Sequence, residues 1–413
     1  MFDPIKASKE IKDSYIDYIT TTFDMADTDY EREFRKELQT DGMVASGPFL
    51  DIGGSYETGH SLRELIQAQK ASVLFERLEP VAEKERELKL DRPLYQHQET
   101  AMLKAGKGEN LVVTTGTGSG KTESFLLPII NHLLREQEAG TLSAGVRAII
   151  IYPMNALAND QMKRMRALFK NYPQICYGVY NGNTEHTQSK ALAEYHRTYH
   201  DESGEPTDPA PNEIISREVM QERPPHILIT NYSMLEYMML RPKDDAVFSG
   251  AKLKFIVLDE AHIYKGATGM ETSLLMRRLR ARISEPDSVQ YILTSATLGG
   301  PDADGDILSF AEKLCGVAFQ RSGIIRSTEK RPAMEDFLDF APALFEELQR
   351  SPDISSVLDR YHADFAPGGS EDEKLYALFL HSRLFALLRK VAHQPITVAQ
   401  LRQALSEICP MTN

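Results

Sequence analysis

Cysteine is scarce in this chain. Its 413 residues hold three, Cys176, Cys315 and Cys409, and these lie far apart. That spacing excludes a zinc-ligand set and a disulfide framework, and it suits a reducing cytoplasm. No apolar stretch is long enough to span a membrane, and Met1 to Glu10 lacks the apolar core of a signal peptide. There is no internal repeat. Positive charge is in deficit, with a net charge of −13 and a pI of about 5.4. An acidic chain meets nucleic acid only through a local basic surface. Apolar residues make up 42% of the chain, enough for a large core. The expectation is a soluble cytoplasmic enzyme with no membrane role, of two or three domains.

Residues 1–90 are rich in charge and helical in pattern. They read as an N-terminal helical accessory region, and the acidic run Asp24, Asp27, Asp29, Glu31 and Glu33 as a solvated face. From 91 to 320, short β-branched runs alternate with helical patterns. The candidate strands are Leu111–Thr114, Arg147–Tyr152, Ile175–Tyr180, His226–Thr230, Lys254–Leu258 and Gln290–Thr294. Such alternation predicts an α/β domain whose mostly parallel sheet is covered by helices on both faces. Its ligands belong at the C-terminal strand ends. Asp201 to Pro211 is polar and proline-rich, so it reads as an exposed loop. After about 320 strand patterns stop, and 321–413 reads as helical. Leu375, Leu378, Phe379, Ser382, Phe385, Leu388 and Val391 make one apolar face there.

One stretch carries the most chemistry. Thr114-Thr115-Gly116-Thr117-Gly118-Ser119-Gly120-Lys121-Thr122 follows an apolar run and opens a helical pattern. Strand, glycine-rich turn, Lys-Thr and helix make a phosphate-binding loop. Small residues let backbone N–H groups curl around an anion, and the helix N-terminus adds its positive end. The nucleotide candidates are Thr117, Gly118, Ser119, Gly120, Lys121, Thr122 and Glu123. Lys121 suits the β- and γ-phosphates, and the Thr122 hydroxyl suits Mg²⁺. Thr115 stands where the general loop pattern has its first glycine.

A second apolar run ends in Asp259-Glu260-Ala261-His262. Adjacent carboxylates at a strand end behind such a loop suit two tasks. Asp259 holds the metal, and Glu260 deprotonates the attacking water. A third segment, Thr294-Ser295-Ala296-Thr297, again closes a strand.

In this order, the three segments resemble motifs I, II and III of the superfamily 2 DEAD/DEAH-box helicases. That group usually carries Ala or Thr at the position of Thr115. The resemblance implies a RecA-like domain that binds ATP with Mg²⁺. It implies that His262, Ser295 and Thr297 couple hydrolysis to domain closure. Gln98 stands 23 residues before Lys121, the spacing of the adenine-reading glutamine of the group. Its amide can donate and accept at once, and Gln96 is the fallback. Tyr152 to Gln161 resembles motif Ia, although Met154-Asn155 replaces the usual Thr and basic residue. Ile229 to Leu235 resembles the next backbone-contacting motif. The implied nucleic-acid contacts are Asn155, Gln161, Thr230 and Asn231. Lys163, Arg164, Arg166 and Lys170 after motif Ia, and Arg277, Arg278, Arg280 and Arg282 after motif II, suit a local basic surface. The second cluster equally suits a helix end or protein contacts.

The wider wording resembles bacterial repair and phage-defence helicases, including the DISARM-type helicase. Key stretches are Tyr180-Asn181-Gly182-Asn183-Thr184 and Gly266-Ala267-Thr268-Gly269 through Arg280. This subgroup implies DNA in preference to RNA, with protein partners in a multi-subunit complex. Motors of the superfamily use two RecA-like domains, and the resemblance covers only the first. Residues 321–413 show no arginine motif of the second, so the chain alone is expected to hydrolyse ATP poorly. The reading is the N-terminal part of an ATP-dependent DNA helicase or translocase. The alternative is an ATP-gated, nucleic-acid-binding scaffold or sensor that does not separate strands.

Overall fold

The structure is a computed structural model. It describes residues 3–23, 25–50, 56–79, 88–116, 118–201, 203–296, 299, 301–330, 338–361, 369–392 and 395–408. They form two compact units, residues 56–329 and residues 1–55 with 330–413.

Unit 56–329 is built on one sheet of eight parallel strands. In chain order they are β1 (Leu111–Thr114), β2 (Ala148–Ile151), β3 (Tyr177–Tyr180), β4 (Glu213–Ile214), β5 (Ile227–Thr230), β6 (Phe255–Leu258), β7 (Gln290–Ser295) and β8 (Ile324–Arg326). Their spatial order is β8-β1-β7-β6-β2-β5-β3-β4. The chain leaves β1, crosses to β2, and later returns to fill the gap with β6 and β7. The crevice at such a switch is where an open parallel sheet binds ligands.

Alternation of side chains explains why these strands are apolar throughout. Val113, Ile150, Ile229, Val257 and Ile292 enter one core cluster. Their neighbours Val112, Ile149, Leu228, Ile256 and Leu293 enter the other. Both faces are covered, so neither set can be polar. The first face is packed by α1 (Gln96–Ala105), α2 (Lys121–Glu138) and α3 (Asn155–Phe169). The second is packed by α4 (Tyr232–Leu240), α5 (Gly266–Arg282) and α6 (Asp304–Cys315).

Register lines up the strand ends. Ser295 lies beside Thr114, Leu258 beside both Leu293 and Ile151, and Thr230 beside both Ile151 and Tyr180. The residues that follow these positions therefore share one edge.

All six expected strands form, each within two residues of its expected ends. Two more join them. β4 is two residues long, too short to carry a period. β8 lies beyond 320, where strands were expected to stop. It pairs with β1 through Ile324, Ile325 and Arg326. This unit also starts before residue 91. Thr58–Ser61 pairs with Pro93–Tyr95, and Leu62, Leu65 and Phe75 are buried in the first core cluster.

In the other unit, Phe49–Leu50 pairs antiparallel with Ile396–Thr397. The single apolar helix face expected over 372–391 is divided between two helices, Glu371–His381 and Arg383–Val391. Ser382 stands between them in extended backbone, and its hydroxyl accepts from the Phe385 N–H to cap the second. Among the described residues no helix is long and apolar enough to cross a membrane.

Candidate active site

The phosphate loop leaves β1 and ends where α2 begins. Gly118 and Gly120 have φ of +75° and +73°, the left-handed region that glycine enters without steric cost. Gly120 caps α2. A Cβ there would stand 2.3 Å from Gln98 Nε2, so a larger residue would also push that side chain away from the loop. Inside the loop, Ser119 Oγ lies 2.6 Å from Thr115 Oγ1 and 2.8 Å from Gly116 O. Thr115, in place of the usual glycine, thus supplies an internal tie. The Thr115 N–H donates to Ser295 O at 3.1 Å, joining loop to motif III backbone.

Two neighbours on α1 hold the loop from below. His97 Nε2 donates to Ser119 O at 2.8 Å, and Gln98 Nε2 donates to Gly120 O at 3.1 Å. Gln98 Oε1 accepts from the Tyr95 N–H at 2.9 Å. Burial holds His97 below its ordinary pKa, so it is the neutral donor to a carbonyl. His97 escaped the sequence reading, because a lone histidine has no periodic signal. Gln96 is exposed, whereas Gln98 is buried and faces a 240 Å³ cavity with Arg92, Tyr95, Gly118 and Gly120. Gln98, not Gln96, is therefore the glutamine at the loop.

The carboxylates emerge from β6. Lys121 Nζ lies 3.2 Å from Glu260 Oε1. Glu260 has a left-handed φ of +49°, a strained conformation for a residue with a side chain, at about 1–3 kcal/mol. Its N–H donates to Thr294 Oγ1 at 3.3 Å. The Thr294 hydroxyl in turn donates to Asp259 Oδ1. Burial pushes the Asp259 carboxyl above its usual range, and the neighbouring Glu260 charge adds to that. Thr294 was named in the third segment of the sequence but given no role of its own. Its signal was its place before Ser295, since register with β6 sets it beside Asp259.

His262 joins motif II to motif III. Its Nδ1 lies 3.1 Å from Ser295 Oγ and 3.3 Å from Glu260 Oε2. Glu123, in the first turn of α2, is ion-paired with Arg164 of α3. Thr122, also in that turn, is partly exposed. Thr117 and Thr297 lie outside the described residues.

The residues resembling nucleic-acid motifs divide into two kinds. Asn231 Nδ2 donates to Asn155 Oδ1 at 2.9 Å, which brings the two segments together at the sheet edge. Gln161 lies on α3, with its Oε1 buried and without a protein partner among the described residues. Thr230 differs from expectation. It is 1% exposed, and its hydroxyl donates to Tyr180 O at 2.7 Å. It is spent on joining strands and does not face outward. The arginines are also engaged within the protein. Arg166 pairs with Glu213, Arg278 with Glu236, Arg280 with Asp287 and Arg282 with Asp245. Arg277 donates to Ser273 O and Lys313 O.

The residues present fit a nucleoside triphosphate and a divalent cation. Left-handed glycines open the anion cradle. Asp259 and Glu260 are a half-buried carboxylate pair with one lysine, Lys121, against it among the described residues, which leaves negative charge for a cation to neutralise.

Comparison with known proteins agrees with this geometry. The DEAD/DEAH box helicase family model matches residues 95–202 and 203–304. The chain is 33% identical to Druantia protein DruE of Escherichia coli, over 78% of this chain and 22% of that protein. It is 30% identical to the uncharacterized ATP-dependent helicase YprA of Bacillus subtilis, over 52% of this chain and 24% of that protein. The chain thus spans less than a quarter of either relative. Among solved structures, the DUF1998 helicase MrfA bound to DNA aligns with a TM-score of 0.46 and 22% identity, over 71% of this chain and 34% of that one. The family match takes in the phosphate loop, the paired carboxylates and Ser295 on β7, and with it the chain belongs to the DEAD/DEAH box helicase family.

Proposed function

We propose that this chain is the ATP-binding RecA-like part of a DNA helicase or translocase that acts in phage defence or DNA repair. The observation that carries the proposal is the linked set Lys121–Glu260–His262–Ser295. It ties phosphate loop, carboxylate pair and β7 end into one device. A simple nucleotide-binding protein has no need of the last two members.

Lys121 and the loop N–H groups bind the phosphates, and Gln98 reads adenine. Asp259 and the Thr122 hydroxyl would hold Mg²⁺, which would withdraw charge from the phosphate oxygens. The incoming γ-phosphate competes with Glu260 for Lys121. Glu260 is thereby released to take a proton from the attacking water. His262, on the Glu260 carboxylate and the Ser295 hydroxyl, reports that change to β7. Asn155, Gln161 and Asn231 are the side chains offered to the nucleic-acid backbone. They carry no base readout. Thr297 belongs with Ser295 in the coupling role.

DNA is preferred on the subgroup wording, and the likeness to Druantia protein DruE over most of this chain favours a defence role. Strand displacement with the full-length protein that carries this chain tests the proposal. ATP-dependent displacement supports a helicase. DNA-stimulated hydrolysis without displacement supports a translocase or an ATP-gated sensor. Hydrolysis indifferent to every nucleic acid rejects all three.

A further inference from the structure

The Glu123–Arg164 ion pair lies between the phosphate loop and the helix of motif Ia. Its side chains are 27% and 21% exposed. Glu123 is in the first turn of α2. A Cβ built on Gly120 would stand 3.1 Å from Glu123 Oε2, so the carboxylate lies against the loop itself. That oxygen is buried and without a protein partner among the described residues. Arg164 projects from α3, the helix that begins at Asn155 and carries Gln161. Asn155 in turn accepts from Asn231.

We propose that Glu123 and Arg164 are a positioning pair that couples the nucleotide site to α3, and that Glu123 is not itself a nucleotide ligand. The charge argument is direct. A bare carboxylate beside a triphosphate would repel it, and Arg164 cancels that repulsion. A bound triphosphate adds negative charge next to the pair, which strengthens the pull on Arg164. ATP then favours the α3 position in which Arg164 is drawn toward the loop. By linkage, a ligand that favours the same α3 position tightens ATP. This inference rests on the reading above that α3 faces nucleic acid.

The test uses the full-length protein that carries this chain. The Kd of a non-hydrolysable ATP analogue is measured with and without a single-stranded DNA oligonucleotide. In the parent protein the oligonucleotide tightens the analogue by about 5-fold or more. Arg164→Gln bares the Glu123 carboxylate, so it weakens the DNA-free affinity by about threefold or more and also reduces the enhancement below about twofold. Glu123→Gln loses the same enhancement, Arg164→Lys retains it, and the double Gln variant is no worse than either single one. If Arg164→Gln does not fold, Glu123→Gln carries the comparison. Intact enhancement in Glu123→Gln overturns the pair. So does a loss of DNA-free affinity in Glu123→Gln that Arg164→Gln does not share, since that makes Glu123 a direct ligand. A parent protein that binds analogue and DNA without any mutual effect overturns the coupled-motor reading first, and the pair with it.

Discussion

Lys121 Nζ lies 3.2 Å from Glu260 Oε1, so the residue suited to phosphate and the residue suited to water are in contact. In the proposed function each restrains the other until phosphate arrives. Glu260→Gln removes the proton acceptor but keeps a group that Lys121 can bond. The expected outcome is retained ATP binding with turnover lowered by about 10²–10⁴. Phosphate release by the full-length protein, beside analogue binding, measures both. Turnover within threefold of the parent protein contradicts the general-base role.

The Asp259 carboxyl is held above its usual range by burial and by Glu260. Its ionised form therefore opposes folding. That cost is absent below the ordinary carboxylate pKa and fully present above the raised one. Asp259→Asn should raise the melting temperature of the nucleotide-free protein at neutral pH. The gain should shrink as pH falls. Metal-dependent analogue binding should also weaken as pH falls through the raised pKa. A melting difference independent of pH rejects this account.

Thr294 donates to Asp259 and accepts from the Glu260 N–H. A hydrogen bond to a charged group contributes about 1.5–3 kcal/mol. Thr294→Val should therefore raise the Mg²⁺ concentration needed for analogue binding by about tenfold or more. Thr294→Ser should restore it. A metal titration of analogue fluorescence gives the answer, and an unchanged midpoint in the Val variant would remove Thr294 from the site.

Much of this site was legible before the structure. Lys121, Asp259 and Glu260 follow from apolar strand runs that end in loop chemistry. Gln98 follows from the family resemblance, which sets its distance from Lys121. Other members depend on which strands lie side by side, and a strand run does not carry its neighbour's identity. Thr294 meets Asp259 only because β7 lies next to β6. Thr230 reads as an outward hydroxyl until β3 is placed beside β5. β8 went unread because three residues on an edge carry too little period. The break at Ser382 went unread because apolar spacing continues smoothly across a capped junction.

Arg166 donates to both oxygens of Glu213, and Tyr199 stacks under the guanidinium at 4.3 Å. Burial alone would lower the Arg166 pKa, and Glu213 more than offsets it. The Glu213 side chain is 1% exposed. Glu213→Ala leaves the cation unpaired and should cost about 3–5 kcal/mol. Tyr199→Ala removes only the ring face and should cost about 0.5–2 kcal/mol. Denaturant unfolding ranks the two, and a Tyr199 effect equal to that of Glu213 would reject the ion pair as the main contact.

His262 Nδ1 stands between Ser295 Oγ and Glu260 Oε2, at 3.1 and 3.3 Å. If this bridge carries hydrolysis to β7, ATP turnover and strand displacement separate when it is cut. The decisive measurement is both rates, on one DNA substrate, for the full-length protein and its His262→Ala and Ser295→Ala variants. The account predicts DNA-stimulated turnover within about threefold of the parent protein in each variant, displacement reduced by about tenfold or more, and no further loss in the double variant. Turnover and displacement that fall together, or a parent protein whose turnover ignores DNA, would contradict it.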